Sequence, residues 1–266
     1  MSETAAPVLL QTVQGGVALL VMNRPERMNA LNNDLATALL GALQKISEDE
    51  SVRVVVLTGA GRAFCAGGDL GVIGKGREAN NIKELEPILR AGMGAVLKIR
   101  TMPQPVIAAV NGPAAGAGMN IALAADIRIS AEEAAFGQNF AKVGLFPDYG
   151  GTYFLPELVG PSKAAEMFYT GDMIDAKTAL QLGLVNRVVP AAQLEAEVKT
   201  FATKIAIGPP MAIRAVKKVL FANQKEALER SLEAEVVHQM KCFASEDCLE
   251  GIRAFFEKRT PKFQGR

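Results

Sequence analysis

Two glycine-rich turns and one aspartate are the parts of this chain whose residue types can do chemistry. The first turn ends the run Pro105-Val106-Ile107-Ala108-Ala109-Val110-Asn111-Gly112, where an apolar strand pattern leads through small residues to a helix start. At Gly116-Ala117-Gly118 the backbone can approach a ligand closely, and the unpaired N–H groups of a helix's first turn stabilise negative charge. The second turn is Ala66-Gly67-Gly68-Asp69-Leu70, which also follows an apolar run. Asp148 lies in Gly144-Leu145-Phe146-Pro147-Asp148-Tyr149-Gly150-Gly151, a carboxylate with apolar neighbours. Pro-Asp-x-Gly is also ordinary turn chemistry, so the aspartate alone fixes no function.

The elements that must position these groups follow an α/β pattern. A buried strand is expected over 16–23, stopped by Arg24-Pro25-Glu26-Arg27. A helix follows from Asn33, with Leu35, Leu39, Leu43 and Ile46 on one face, and then a strand over 52–58. Strand, helix, strand is a crossover unit, and each glycine turn follows a strand, so both can open on one crevice. Gly71, Gly74, Lys75 and Gly76 read as a loop before a helix over 82–99. Past Gly151 the spacing predicts helices over roughly 160–170, 176–182, 191–207, 209–221, 226–243 and 246–257. The strand-rich part ends near Val189. This divides the chain into a core, 1–190, that holds the site and a helical region, 191–266, that packs on the core and on neighbouring subunits.

Composition narrows the function classes. Hydrophobic residues make up 49% of the chain and the formal net charge is +1, which describes a soluble globular protein without a basic footprint for nucleic acid. Arg100, Asn111 and Asp126 interrupt the longest apolar runs below the roughly 18 to 20 residues of a membrane span, so no membrane partner is expected. The N-terminal stretch carries an acid, lacks the basic start and long apolar core of a secretory leader, and is not Arg-rich, so a cytoplasmic location is expected. Cys65, Cys242 and Cys248 stand at no metal-ligand spacing and read as reduced thiols, with no metal site.

The run Gly59-Ala60-Gly61-Arg62-Ala63-Phe64-Cys65-Ala66-Gly67-Gly68-Asp69-Leu70, taken with Pro105 to Gly112, resembles the crotonase family of acyl-CoA enzymes. Asn23-Arg24-Pro25, Asp126-Ile127-Arg128, Gly150-Gly151-Thr152 and Phe255-Phe256-Glu257-Lys258-Arg259 extend the likeness over nearly the whole chain. The resemblance implies a spiral of strand-strand-helix turns, with C-terminal helices that mediate homotrimers, often paired into hexamers. It also implies a coenzyme A thioester as substrate, with no separate cofactor. The N–H groups of Gly68 and Ala117 would then form an oxyanion hole for the enolate made by removing a proton beside the thioester.

Hydratases of that family use two glutamates, and Asn120 and Phe140 stand at those positions here. Neither side chain moves a proton, whereas hydration needs one group to activate water and one to protonate carbon. By the same resemblance Asp148 is where family isomerases, including epoxyphenylacetyl-CoA isomerases, carry their catalytic aspartate. One carboxylate suffices to shift a double bond: it takes a proton from the carbon beside the thioester and returns it two carbons further on. Apolar neighbours such as Phe146 are expected to raise its pKa. Asn120 is either a helix-start residue bonded locally or a group that positions a water or the acyl chain. A hydratase acting by a departed mechanism and a non-catalytic acyl-CoA-binding protein are the alternatives. The related dehalogenases need a histidine and a tryptophan beside the aspartate. This chain has no tryptophan, and its one histidine, His238, lies in a C-terminal helical stretch.

The resemblance further implies that Arg24 and Arg27 meet the CoA moiety and that Lys258 reaches the CoA phosphate of a neighbour; each also reads as a solvated charge. Ala66, Asp69 and Leu70 flank Gly68 and are expected at the acyl-CoA site. Phe140, Phe146 and Tyr149 are either acyl-pocket walls or core. Gly71-x-x-Gly74-Lys75-Gly76 lacks the order of a phosphate loop, and Ile121 takes the third glycine position of a dinucleotide fingerprint, so no nucleotide cofactor is expected.

Overall fold

Strands buried on both faces pair into a parallel sheet covered by helices, and the apolar runs of this chain do so. The computed structural model describes residues 6–266; the leader reading rests partly on residues 1–5, which lie outside them. In chain order the first half holds β1 (Leu9–Gln14), β2 (Val17–Met22), α1 (Asn33–Glu48), β3 (Val54–Gly59), α2 (Leu70–Glu78), α3 (Leu85–Thr101), β4 (Val106–Val110), β5 (Ala114–Ala115), α4 (Ala117–Ala124), β6 (Ile127–Ala131) and β7 (Ala135–Gly137). The second half holds α5 (Gly151–Val159), α6 (Pro161–Thr170), β8 (Met173–Asp175), α7 (Ala176–Gln181), β9 (Arg187–Val189), α8 (Ala191–Ala206), α9 (Pro210–Phe221), α10 (Lys225–Ala244) and α11 (Glu246–Glu257).

The main sheet runs β1-β2-β3-β4-β6-β9, parallel except for the β1–β2 hairpin, and a small sheet runs β5-β7-β8. Register sets Leu20 opposite Leu57, Val55 opposite Val106 and Ala109 opposite Ile129. Alternation along β3 then sends Val55 and Leu57 into the large core shared with α1 and α3. Val54 and Val56 point the other way, to a second cluster closed by Leu194, Val198 and Ala202 of α8. The C-terminal region thus supplies the second cover of the sheet.

The segment read as a loop after Asp69 is the helix α2. Asp69 caps it, its carboxylate accepting from the N–H groups of Gly71 and Val72 at 3.1 and 3.4 Å. Its glycines lower helix propensity but permit close packing: a Cβ on Gly74 would lie 3.2 Å from Ile252, and one on Gly76 3.2 Å from Leu85. The helix expected from Ile82 opens with a 3-10 turn, Ile82–Glu84, before α3. The sequence reading missed α5, which carries Pro156 in its interior, and β1, an edge strand whose residues are mostly exposed.

One buried charge ties the C-terminal region to the sheet. Lys217 of α9 donates to the carbonyls of Ile99 and Gln104, both at 2.8 Å, and to Asp126 Oδ2 at 2.7 Å. Removing one partner of a buried pair leaves the other uncompensated, at a cost of about 3 kcal/mol or more. Lys217→Met is therefore expected to lower the urea midpoint by that much stability, and an unchanged midpoint would show that the pair contributes nothing. Among the described residues no helix is long and apolar enough to cross a membrane, no cluster of His, Cys, Asp and Glu could hold a metal ion, and the three cysteines are free.

Candidate functional site

Both glycine turns open on a cavity of about 350 Å³, whose wall includes Gly68, Ala117, Phe140, Asp148, Gln239 and Lys258. The turns lie side by side because Cys65 and Ala114 form a parallel bridge, with the Ala115 N–H donating to the Cys65 carbonyl at 3.0 Å. Leu31 locks the Gly67-Gly68 turn: its N–H donates to the Gly67 carbonyl and its own carbonyl accepts from the Asp69 N–H, at 2.7 and 2.9 Å. Gly67 has φ +97°, and a Cβ there would come within 2.9 Å of the Ala115 carbonyl oxygen, so only glycine fits. These bonds pass over the N–H of Gly68. Ala117 is the first residue of α4, where an N–H has no intrahelical acceptor. Neither amide donates to another group of the described chain.

Every residue of α4 is buried, so its one strongly polar side chain, Asn120, must find partners inside the protein. Asn120 Nδ2 donates to the Asp148 carbonyl at 2.7 Å, and its Oδ1 accepts from Gln138 Nε2 at 2.6 Å. The Asp148 turn is held from the other side by α10. Gln239 Nε2 donates to Asp148 Oδ2 at 2.9 Å, and Gln239 Oε1 accepts from the Phe146 N–H at 3.0 Å. One helical turn earlier, Glu235 accepts from the N–H groups of Gly150 and Thr152 at 2.8 and 2.9 Å and from the Thr152 hydroxyl at 2.5 Å. Tyr149 adopts a left-handed φ of +55° between these anchors, with its ring laid on Gly92 of α3, where a Cβ would fall 1.9 Å from a ring carbon.

Asp148 is 6% exposed, and its Oδ1 is itself buried, with no hydrogen-bond partner among the described residues. Burial pushes its carboxyl up to about 8; the bond from Gln239 opposes the rise and the nearby Glu235 adds to it. Glu235 itself is pushed up to about 7 by burial, against the three bonds it accepts. A carboxylate with one unpartnered oxygen, in the wall of a cavity that also holds two unengaged amides, can exchange a proton with a bound molecule. The amides can meanwhile receive an oxygen that gains charge.

Of the residues expected at the site, the fold brings Gly68, Ala117, Asp148, Ala66, Leu70, Phe140 and Lys258 to one cavity. The others lie outside that lining. Asn120 is sealed inside α4 and supports the Asp148 turn, so it neither starts a helix nor meets an acyl chain. The Phe146 ring stacks on the exposed ring of His238, with centroids 5.1 Å apart, and lies outside the lining. Tyr149 and Asp69 border a smaller adjoining void that Gly68, Ala117 and Asp148 also line. Arg24 and Asp69 are spent on each other at 3.0 Å, with Asp69 also capping α2, and Arg27 is exposed and outside the lining. Sequence reasoning missed Gln239 and Glu235; their signal was two polar residues four apart on a helix face that also carries Leu228, Leu232 and Val236.

Solved structures share this architecture. The carnitinyl-CoA hydratase of Mycobacterium avium superposes with a TM-score of 0.88 at 34% identity, covering 98% of this chain and 100% of that one. The fold is that of the crotonase-type acyl-CoA enzymes. The family model for enoyl-CoA hydratase/isomerase matches residues 12–266, and the chain belongs to that family. A probable enoyl-CoA hydratase of Rhodobacter capsulatus is 42% identical, covering 96% of each chain. The 1,2-epoxyphenylacetyl-CoA isomerase of Escherichia coli is 35% identical, covering 97% of this chain and 98% of that relative.

Proposed function

We propose that this enzyme shifts a double bond in an unsaturated acyl-CoA, with Asp148 as its single acid and base. The observation that carries the reading is that Asp148 is the one carboxylate among the described residues lining the cavity, and that it lines it together with the Gly68 and Ala117 amides. Ionised Asp148 takes a proton from the carbon beside the thioester, and the electron pair passes to the thioester oxygen, which the two amides hold as an enolate. The same carboxyl returns the proton two carbons further on, the electrons of the enolate close the new conjugated double bond, and Asp148 is again ionised. A ring-epoxide acyl-CoA, as in the name of the Escherichia coli relative, is one candidate substrate.

Phe140, Val143 and Leu145 give the acyl group an apolar wall, and Lys142, Lys258 and Arg259 set cations on the same lining, where CoA phosphates would be favoured. CoA arrives with the substrate, and the proposed chemistry uses no further cofactor. We place the enzyme in the cytoplasm, as a homotrimer or a pair of trimers: Met211, Val216, Val219 and Leu220 of α9 stand 58–85% exposed, an apolar face suited to another copy. Hydration is the second reading, favoured by the name of the Rhodobacter relative and opposed by the lack of a second carboxylate in the lining.

The test is an ultraviolet assay on 3-enoyl-CoA and 2-enoyl-CoA of matched chain length. The conjugated thioester band is expected to appear from the 3-enoyl substrate. Because the ionised carboxylate is the base, kcat/KM for that substrate is expected to rise with pH through a midpoint near 8. Loss of the band from the 2-enoyl substrate, with no turnover of the 3-enoyl one, would establish hydration instead.

A further inference from the structure

Within the proposed reaction, the base must present one defined oxygen to the substrate, and a carboxylate has two. The bond network of α10 makes the choice. The Phe146 N–H can only donate, so the Gln239 oxygen must face it, and the Gln239 amide nitrogen is thereby turned toward Asp148 Oδ2. Gln239 is 1% exposed, which leaves it no solvent alternative. A proton on Oδ2 would meet the hydrogens of the Gln239 amide, so Oδ2 stays an acceptor in both protonation states. The oxygen left to gain and lose a proton is Oδ1, which is buried and has no partner among the described residues.

We infer that Gln239 is a positioning residue, reaching in from α10, that engages Asp148 Oδ2 and so assigns the proton-exchanging role to Oδ1. The inference rests on the reading of Asp148 as the acid and base. Glu235 and Asn120 hold the flanking backbone, from Gly150 and Thr152 and from the Asp148 carbonyl, so among the described residues Gln239 is the one anchor that touches the carboxylate itself. Other groups bear on Asp148 from the elements around it. Glu235 comes from α10. Tyr149 comes from the same turn, its phenol pushed well above its ordinary value by burial. Cys65, next to the Gly67-Gly68 turn, acts on Tyr149, its own thiol pushed up to about 12 by burial, and the cations Lys142, Lys258 and Arg259 belong to the cavity lining.

The experiment compares the full-length enzyme with Gln239→Met, which removes both bonds at similar volume, and Gln239→Glu, which keeps an acceptor for Phe146 and sets a second carboxyl against Oδ2. The readouts are kcat and KM on a 3-enoyl-CoA, the pH midpoint of kcat/KM, and exchange of the α-protons of a saturated acyl-CoA in D2O, followed by NMR. Misplacing a reacting group costs about 10- to 100-fold, so kcat and the exchange rate should fall by that factor in both variants while KM moves less than about 2-fold. The Gln239 bond holds the Asp148 carboxyl down, so the midpoint should move above its wild-type value in Gln239→Met, and further in Gln239→Glu because of like-charge repulsion. A well-folded variant with wild-type kcat, or one that loses rate with no change of midpoint, would overturn the inference. If Gln239→Met fails to fold, the same readouts on Gln239→Glu decide. Asp148→Asn, measured in parallel, separates the two levels: activity surviving there removes the parent reading, whereas activity lost there but intact in the Gln239 variants removes this inference alone.

Discussion

Asp148→Asn is expected to lower turnover of a 3-enoyl-CoA by about 100- to 10,000-fold, the span that a positioned acid and base contributes, while a saturated acyl-CoA still binds. The substitution keeps the volume and an acceptor for Gln239 Nε2, so its effect isolates the proton. Stability should move the other way. The folded carboxyl titrates near 8 against an ordinary 3.8, so the native state favours the neutral form. The stability this group contributes is fully present below about pH 4 and is lost as pH rises through 8; each pKa unit corresponds to about 1.4 kcal/mol. Asparagine carries no such charge, and the variant should melt several degrees above the wild type at pH 9 and close to it at pH 4. Equal melting curves at pH 9 would mean that Asp148 is not a buried, reluctant acid. Retained turnover would move the chemistry to another group.

Ala117→Pro is the second large effect and tests the amides. Proline lacks the N–H and is tolerated at the first position of a helix, where no intrahelical bond is lost, and its ring occupies the space at the amide. The variant should fold with wild-type circular dichroism and lose about 100- to 1,000-fold in kcat, the usual consequence of removing one oxyanion donor. Proton exchange from a saturated acyl-CoA should fall with it, since both processes pass through the enolate. Turnover within a few-fold of wild type would show that the thioester oxygen rests elsewhere.

What could be read in the sequence follows from how local each constraint is. The glycine turns announced themselves because a positive φ and a carbonyl 2.9 Å from a missing Cβ leave glycine as the only choice at Gly67. Asp148 was legible from its setting, and the parallel strands from unbroken apolar runs. Asn120 misled because its neighbours in sequence say nothing of Gln138 or of the Asp148 carbonyl, with which it shares its hydrogen bonds. The helix α2 was hidden because its glycines are chosen for contacts with Ile252 and Leu85, which outweigh propensity. Arg24 and Asp69 pair across 45 residues, a contact that neither one's sequence neighbours announce.

Gln239 meets Asp148 across 91 residues of chain, and Glu235 meets Gly150 across 85. Contacts so distant in sequence carry a large closure entropy and form late. During synthesis, the turn that carries Asp148 is therefore made long before the helix that holds it, and under the proposed reaction a nascent chain stopped short of α10 has both glycine turns without a positioned base. On the proposed reading, the base is not held in place until α10 has been made, well after the turns it completes.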